Sequence, residues 1–173
     1  MGTIAQYKAK KTDKKDRLDS LIEEWQFEVP NIGAEVLDVV GRIQYLGNRY
    51  EADANKALKQ YGIKFTDFDV LGTLRRSGDS FCLSPTQLCE AVLITSGAMT
   101  AALDRLEAAG LINRVPDDAD RRVKAAALTQ KGIALTEAAA KARFSAAANA
   151  VSSLSNTEKQ DLARLLRKLV IEA

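Results

Sequence analysis

The stretch that decides the fold of this chain runs from Ser84 to Gly132 and reads SPTQLCEAVLITSGAMTAALDRLEAAGLINRVPDDADRRVKAAALTQKG. Its first part carries apolar residues at helical spacing in two blocks, each preceded by a residue type that starts helices. Its second part changes to two short β-compatible runs around a charged turn. The stretch therefore predicts a helix, a second helix and a β-hairpin in direct succession.

Both predicted helices carry their own start signals. Ser84 is an N-cap residue, Pro85 falls at the first helical position, and Gln87 completes a capping box. Thr95 caps the second helix, and Gly110 ends it because glycine readily adopts the left-handed conformation that follows a helix. The apolar stripe of the second helix is its expected buried face: Met99, Ala102, Leu103, Leu106 and Ala109.

The hairpin is predicted from the change of periodicity. Leu111–Val115 and Val123–Leu128 are the expected strands, and the tip between them holds Asp120, Arg121 and Arg122. A helix pair followed by such an arm is typical of proteins that place the second helix in one groove of duplex DNA and the arm in the neighbouring groove. We expect Asp120 to orient one arginine while the other enters the minor groove. A solvated charged loop is the alternative interpretation.

The expected DNA contacts lie at the N-terminal ends of the two helices, and the second helix supplies those in the major groove. Small side chains there let the backbone approach a groove wall, and the free N–H groups suit a phosphate. The residues predicted to contact DNA in this way are Ser84, Thr86, Thr95, Ser96, Gly97, Ala98, Thr100 and Ala101.

The same motifs resemble the winged-helix core of the MarR family of bacterial regulators. The resemblance is carried by T-S-G-A-M-T-x-x-L-D-R-L-E-A-A-G-L-I-x-R, then D-x-D-R-R, then A-L-T-Q-K-G, and extends over roughly residues 63–170. It implies a mainly α-helical protein with a small β-hairpin wing that binds double-stranded DNA as a homodimer. It further implies a repressor that is released by a small ligand.

Five further helices are predicted, at Leu18–Val29, Ala34–Tyr61, Thr66–Arg76, Gln130–Ser152 and from Ser155 onward. The expected organisation is a basic tail over residues 1–17, N-terminal helices for dimerisation and ligand binding over 18–62, the winged helix-turn-helix core over 63–132 and C-terminal dimerisation helices over 133–173. The alanine-rich helix suits tight packing between subunits, although high helix propensity alone explains its composition. A two-fold dimer would match a pseudopalindromic operator.

A narrower resemblance concerns an effector. The N-terminal helix with Trp25, the stretch F-D-V-L-G-T-L-R-R-S-G from residue 68 to 78 and T-S-G-A-M-T resemble the urate-responsive, HucR- and PecS-like branch of the family. This implies that Trp25, Asp69 and Arg105 surround a urate-like purine or aromatic acid, with Asp69 holding Arg105 until the ligand competes. The alternatives are that Trp25 serves core or dimer packing and that Asp69 serves an early helix turn.

Composition excludes several classes of protein. With 173 residues and 46% hydrophobic content, the chain can bury one ordinary core, and no apolar run approaches the length of a membrane span. The absence of histidine excludes Ser-His-Asp and Cys-His catalysis and the commonest zinc ligand, so we expect no enzyme, no metal and no cofactor. Two cysteines give no disulfide framework, and a cytoplasmic location is expected.

The net charge of +2 is small for a DNA-binding protein. Residues 1–17 carry six basic and two acidic side chains, whereas the remainder carries 19 basic and 21 acidic ones. Binding through so weak a field requires two copies of the site. Two alternatives therefore stay open: a winged-helix module that works through protein contacts, and an architectural DNA-binding protein without a ligand.

Overall fold

The computed structural model describes residues 14–78, 80–116 and 124–172. The described residues divide into two compact units at the boundary between Arg49 and Tyr50. Within the described residues, no helix is both long enough and apolar enough to cross a membrane.

The first unit begins with helix α1, Arg17–Glu28, which starts at a capping box formed by Asp16 and Asp19. Arg42 forms ion pairs with three carboxylates of this unit. Its guanidinium lies 2.9 Å from Asp16, 2.7 Å from Asp19 and 2.8 Å from Asp38. These ion pairs join the start of α1 to the 3-10 turn at Ala34–Asp38 and to the first turn of the helix at Val40–Leu58.

The predicted continuous helix over Ala34–Tyr61 is wrong at both ends. The structure has a 3-10 turn at Ala34–Asp38, then helix α2 at Val40–Leu58, then a second 3-10 turn at Lys59–Tyr61. The β-branched pair Val39–Val40 followed by Gly41 has low helix propensity, which is consistent with a break at that point.

The second unit contains the predicted helix pair and hairpin. Its elements after α2 are α3 Phe65–Arg75, β1 Cys82–Leu83, α4 Pro85–Val92, α5 Ser96–Ala108, β2 Ile112–Pro116, β3 Lys124–Leu128, α6 Gln130–Ala150 and α7 Asn156–Glu172. The strands form an antiparallel sheet in the order β1-β3-β2. The expected fold class, mainly α-helical with a small β-hairpin wing, is confirmed; we call the β2–β3 hairpin the wing.

Strand β1 was not predicted. It has two residues, Cys82 and Leu83, which pair with Ala127 and Ala126 of β3. A strand this short has no periodicity to detect, and it exists because β3 offers a free edge when the chain folds.

The core of the second unit lies between α3, α4, α5 and the sheet. Its fully buried large side chains include Leu58, Leu71, Leu74, Leu88, Met99, Leu103, Leu106, Leu111 and Ile112. The predicted stripe of α5 is buried at Met99, Ala102, Leu103 and Leu106, but Ala109 is exposed. Ala109 is the C-cap residue, so the chain is already leaving the helix where the stripe would continue.

Candidate nucleic-acid interface

The start of α4 has the predicted cap. The Ser84 hydroxyl accepts the Gln87 N–H at 3.3 Å, and the Gln87 side-chain oxygen accepts the Ser84 N–H at 2.9 Å. Pro85 stands at the first helical position. Thr86, the second residue of α4, is exposed to solvent.

The N-terminal end of α5 is open to solvent. The Thr95 hydroxyl accepts the Ala98 N–H at 3.3 Å, and the Thr100 hydroxyl donates to the Ser96 carbonyl at 3.0 Å. A Cβ added at Gly97 would meet nothing within 4 Å, so no contact inside the subunit requires a glycine there. The predicted groove-contacting residues of this helix are all exposed: Thr95, Ser96, Gly97, Ala98, Thr100 and Ala101.

The C-terminal end of α5 is fixed to its neighbours. Gly110 adopts a φ of 68°, and the Leu111 N–H donates to the Leu106 carbonyl at 2.9 Å, which closes the helix. On the wing side, Arg114 of β2 lies 2.7 Å from Asp104 and 3.5 Å from Glu107. The helix is therefore anchored at one end and free at the other.

Arg105 forms a further anchor, but its partner differs from the prediction. Its Nη2 donates to Asp67 Oδ1 at 2.6 Å, whereas Asp69 was expected to hold it. The Asp67 side chain is only 6% exposed, and its other oxygen accepts the Lys64 N–H at the start of α3. Asp67 thus joins the cap of α3 to helix α5, and helix register decides which of the two aspartates faces Arg105.

Asp69 lies in a different environment. Burial raises the pKa of Asp69 above its ordinary value, and the positive charges of Arg143 and Arg76 partly oppose this effect. Arg143 lies 5.1 Å from the centre of the Phe65 ring. It also lines a cleft of about 150 Å³ between α2 and α6, with Tyr50, Asp53, Ala54, Ala146, Ala147, Ala150 and Val151.

The base of the wing rests on the start of α6. The Thr129 hydroxyl donates to the Gly110 carbonyl at 2.8 Å and accepts the Gly132 N–H at 3.0 Å. Gly132 packs so closely on the Leu111 backbone that an added Cβ would overlap the Leu111 carbonyl oxygen. This contact requires glycine at the end of the L-T-Q-K-G motif.

The remaining predicted site residues lie elsewhere. Trp25 is on α1 in the first unit, with 45% of its surface exposed. Asp120, Arg121 and Arg122 fall outside the described residues. Sequence reasoning missed Asp67; its one local signal was an acidic residue in the first turn of a helix.

Comparisons with known proteins agree with this geometry. The MarR family model matches residues 61–123. The chain is 30% identical over 152 residues to the HTH-type transcriptional regulator PecS of Dickeya dadantii, a match that covers 88% of this chain and 92% of PecS.

Solved structures are similar over most of their length. A cysteine-to-serine variant of MarR from E. coli, complexed with operator DNA, superimposes with a TM-score of 0.71 at 25% identity, covering 80% of this chain and 98% of MarR. BpsR of Bordetella bronchiseptica, whose DNA binding is regulated by 6-hydroxynicotinic acid, superimposes with a TM-score of 0.69 at 25% identity, covering 78% and 94%. With its capped helix pair, the exposed N-terminal end of its second helix and its wing, the chain belongs to the MarR family of winged helix-turn-helix, DNA-binding transcriptional regulators.

Proposed function

We propose that this regulator is a homodimeric repressor that binds a pseudopalindromic operator and leaves it when a small aromatic or anionic molecule binds. It acts in the cytoplasm and through binding, with no catalytic step. The observation that carries the proposal is the asymmetry of α5. Its N-terminal end exposes only small residues, and ion pairs hold its C-terminal end.

The DNA contact is proposed from this asymmetry. Residues Ser96 to Ala98 and Ala101 have side chains short enough for the helix backbone to approach the groove, and Thr95 and Thr100 add hydroxyl groups. Ser84 and Thr86 at the start of α4 would contact the phosphate backbone. In the same proposal Asp120 orients one of the two wing arginines, Arg121 and Arg122, while the other enters the minor groove.

The homodimer is proposed from an uncovered apolar stripe. No described residue of α7 is buried in the single subunit. Its apolar side chains nevertheless follow helical spacing, and all are exposed: Leu162, Leu165, Leu166, Leu169 and Val170. A stripe of this size on a stable helix is normally covered. A second copy related by a two-fold axis covers it and sets two α5 helices about 34–36 Å apart, one per operator half-site.

The resemblance to the urate-responsive branch is the ground for proposing Trp25, Asp69 and Arg105 as effector-binding residues. In this proposal Asp67, not Asp69, holds Arg105 before the ligand binds. Support comes from the similarity to PecS and from BpsR, whose DNA binding responds to the planar acid 6-hydroxynicotinic acid. Trp25 is 45% exposed, and Arg105 is a half-exposed cation near the end of α5. An anion that drew Arg105 away from Asp67 would release the fixed end of α5 and weaken DNA binding.

The DNA-binding part is tested with a mobility-shift assay on duplex from upstream of the protein's own coding sequence. Arg122→Ala should weaken binding about tenfold, a loss of roughly 1.4 kcal/mol, because one minor-groove cation is gone. Lys141→Ala, which removes the same charge from α6, is the matched control. Circular dichroism and light scattering should show unchanged helicity and dimer mass, and unchanged affinity would exclude the wing role.

The effector part is tested with urate, 6-hydroxynicotinic acid and phenolic acids in the same assay. Trp25→Ala should leave DNA affinity within about twofold and abolish release, because the stacking face is lost. A variant that still releases DNA at the parent's ligand concentration would remove Trp25 from the site. If no compound releases the parent protein, the effector proposal fails while DNA binding stands.

A further inference from the structure

Leu93, in the turn between α4 and α5, is held in an unfavourable conformation. Its φ of 57° and ψ of 44° place it in the left-handed region, and its N–H closes α4 by donating to the Cys89 carbonyl at 2.9 Å. The residue is 88% exposed, more than any other large apolar residue in the described ranges. Glycine takes this conformation without the steric penalty that leucine meets.

Neither the backbone nor the core of the subunit explains a leucine at this position. Two other described non-glycine residues have positive φ, Asn31 and Phe81. Asparagine tolerates this region because of its short polar side chain, and the Phe81 ring has the Arg75 guanidinium 4.8 Å from its centre. Leu93 has the strain and the exposure together, which points to a contact made outside the subunit.

The position of Leu93 indicates what that contact is. It precedes Thr95, the N-cap of α5, by two residues, so the two Cα atoms lie within about 7.6 Å of each other. The neighbouring Ile94 packs against the core, which leaves Leu93 directed outward beside the open end of the helix. The apolar group that a major groove presents to a protein is the 5-methyl group of thymine.

We propose that Leu93 is a specificity-determining residue that contacts the 5-methyl group of one thymine in each operator half-site. This inference rests on the proposed entry of α5 into the major groove. It adds an apolar base contact to a helix end whose other exposed side chains are small or hydroxylated.

The test uses a duplex that the parent protein selects from a random-sequence library, with affinity measured by fluorescence anisotropy. Each thymine of the selected half-site is replaced in turn by deoxyuridine, which lacks only the methyl group. At one position this replacement should lower the affinity of the parent about fourfold per half-site, which is the loss expected when one buried methyl group is removed. Leu93→Gly should bind the thymine duplex more weakly by at least this factor and show no loss with deoxyuridine at that position.

Two controls separate this contact from a folding effect. Leu93→Gly should melt within about 2 °C of the parent or above it, because glycine relieves the strained conformation. Phe27→Ala removes an 84% exposed apolar side chain from α1 and should keep the full response to deoxyuridine.

The outcomes are distinguishable. The assignment of Leu93 is overturned, while DNA binding stands, if the parent and Leu93→Gly bind with equal affinity. It is also overturned if Leu93→Gly still loses affinity when deoxyuridine replaces thymine at the same position. A weakened Leu93→Gly together with a parent that is indifferent to deoxyuridine at every position also overturns it. A parent protein that selects no duplex overturns the proposed function and this inference together.

Discussion

The Asp67–Arg105 pair can be tested by a double-mutant cycle in which Asp67 is replaced by asparagine and Arg105 by glutamine. Asp67 is nearly buried, whereas 43% of the Arg105 side chain is exposed. A hydrogen bond to a charged group contributes about 1.5–3 kcal/mol, and solvent screening at the exposed arginine places this pair near the lower limit. We therefore expect Asp67→Asn to lower the free energy of unfolding by about 1.5 kcal/mol.

The second oxygen of Asp67 permits a further distinction. It accepts the Lys64 N–H at 3.1 Å, a contact that asparagine can retain and alanine cannot. Losing a helix cap costs about 1 kcal/mol, so Asp67→Ala should be destabilised by roughly 2.5 kcal/mol. The difference between the two variants then measures the cap, and the cycle with Arg105→Gln measures the ion pair.

The assays are urea denaturation at pH 7 and operator binding by anisotropy. We expect a coupling energy of about 1 kcal/mol between Asp67→Asn and Arg105→Gln, and weaker operator binding by both single variants because the C-terminal end of α5 is released. A coupling energy below about 0.3 kcal/mol would refute the argument, since the two side chains would then act independently. Full operator affinity of Asp67→Asn would refute the link between the pair and α5.

Two more predictions concern stability. Gly132→Ala should lower the free energy of unfolding, measured by urea denaturation, by about 3 kcal/mol, because the added Cβ would overlap backbone atoms of Leu111. If the variant is instead more stable, as the helix propensity of alanine alone would make it, the backbone contact is not tight. The pKa of Asp69 is raised in the folded protein, so the fold favours the protonated carboxyl. The contribution of this group to the free energy of unfolding is therefore fully present below pH 3.8, the ordinary pKa of the group, and is lost as the pH rises through the raised pKa. Asp69→Asn should therefore melt at a higher temperature than the parent at pH 7 and at a similar temperature below pH 3.8; equal melting at pH 7 would contradict this.

Local sequence signals predicted the starts of α4 and α5 and the end of α5. The caps at Ser84 and Thr95 and the left-handed Gly110 occur where they were expected. These signals are reliable because each depends on atoms within about four positions along the chain, so the sequence contains the whole interaction. The motif series that includes Gly110 and Gly132 likewise points to the family through the order and spacing of its residues alone.

The tertiary structure alone decided the contacts between distant segments. Arg105 pairs with Asp67 rather than Asp69, although a single residue separates the two aspartates in the chain. Both precede Arg105 by more than 30 positions, and only the rotation of α3 against α5 determines which carboxylate faces the arginine. Strand β1 depends in the same way on an edge that β3 provides only after folding. The capped termini of α4 and α5 could be predicted from sequence because their hydrogen bonds are local, whereas packing determines the partners of Arg105 and of β3.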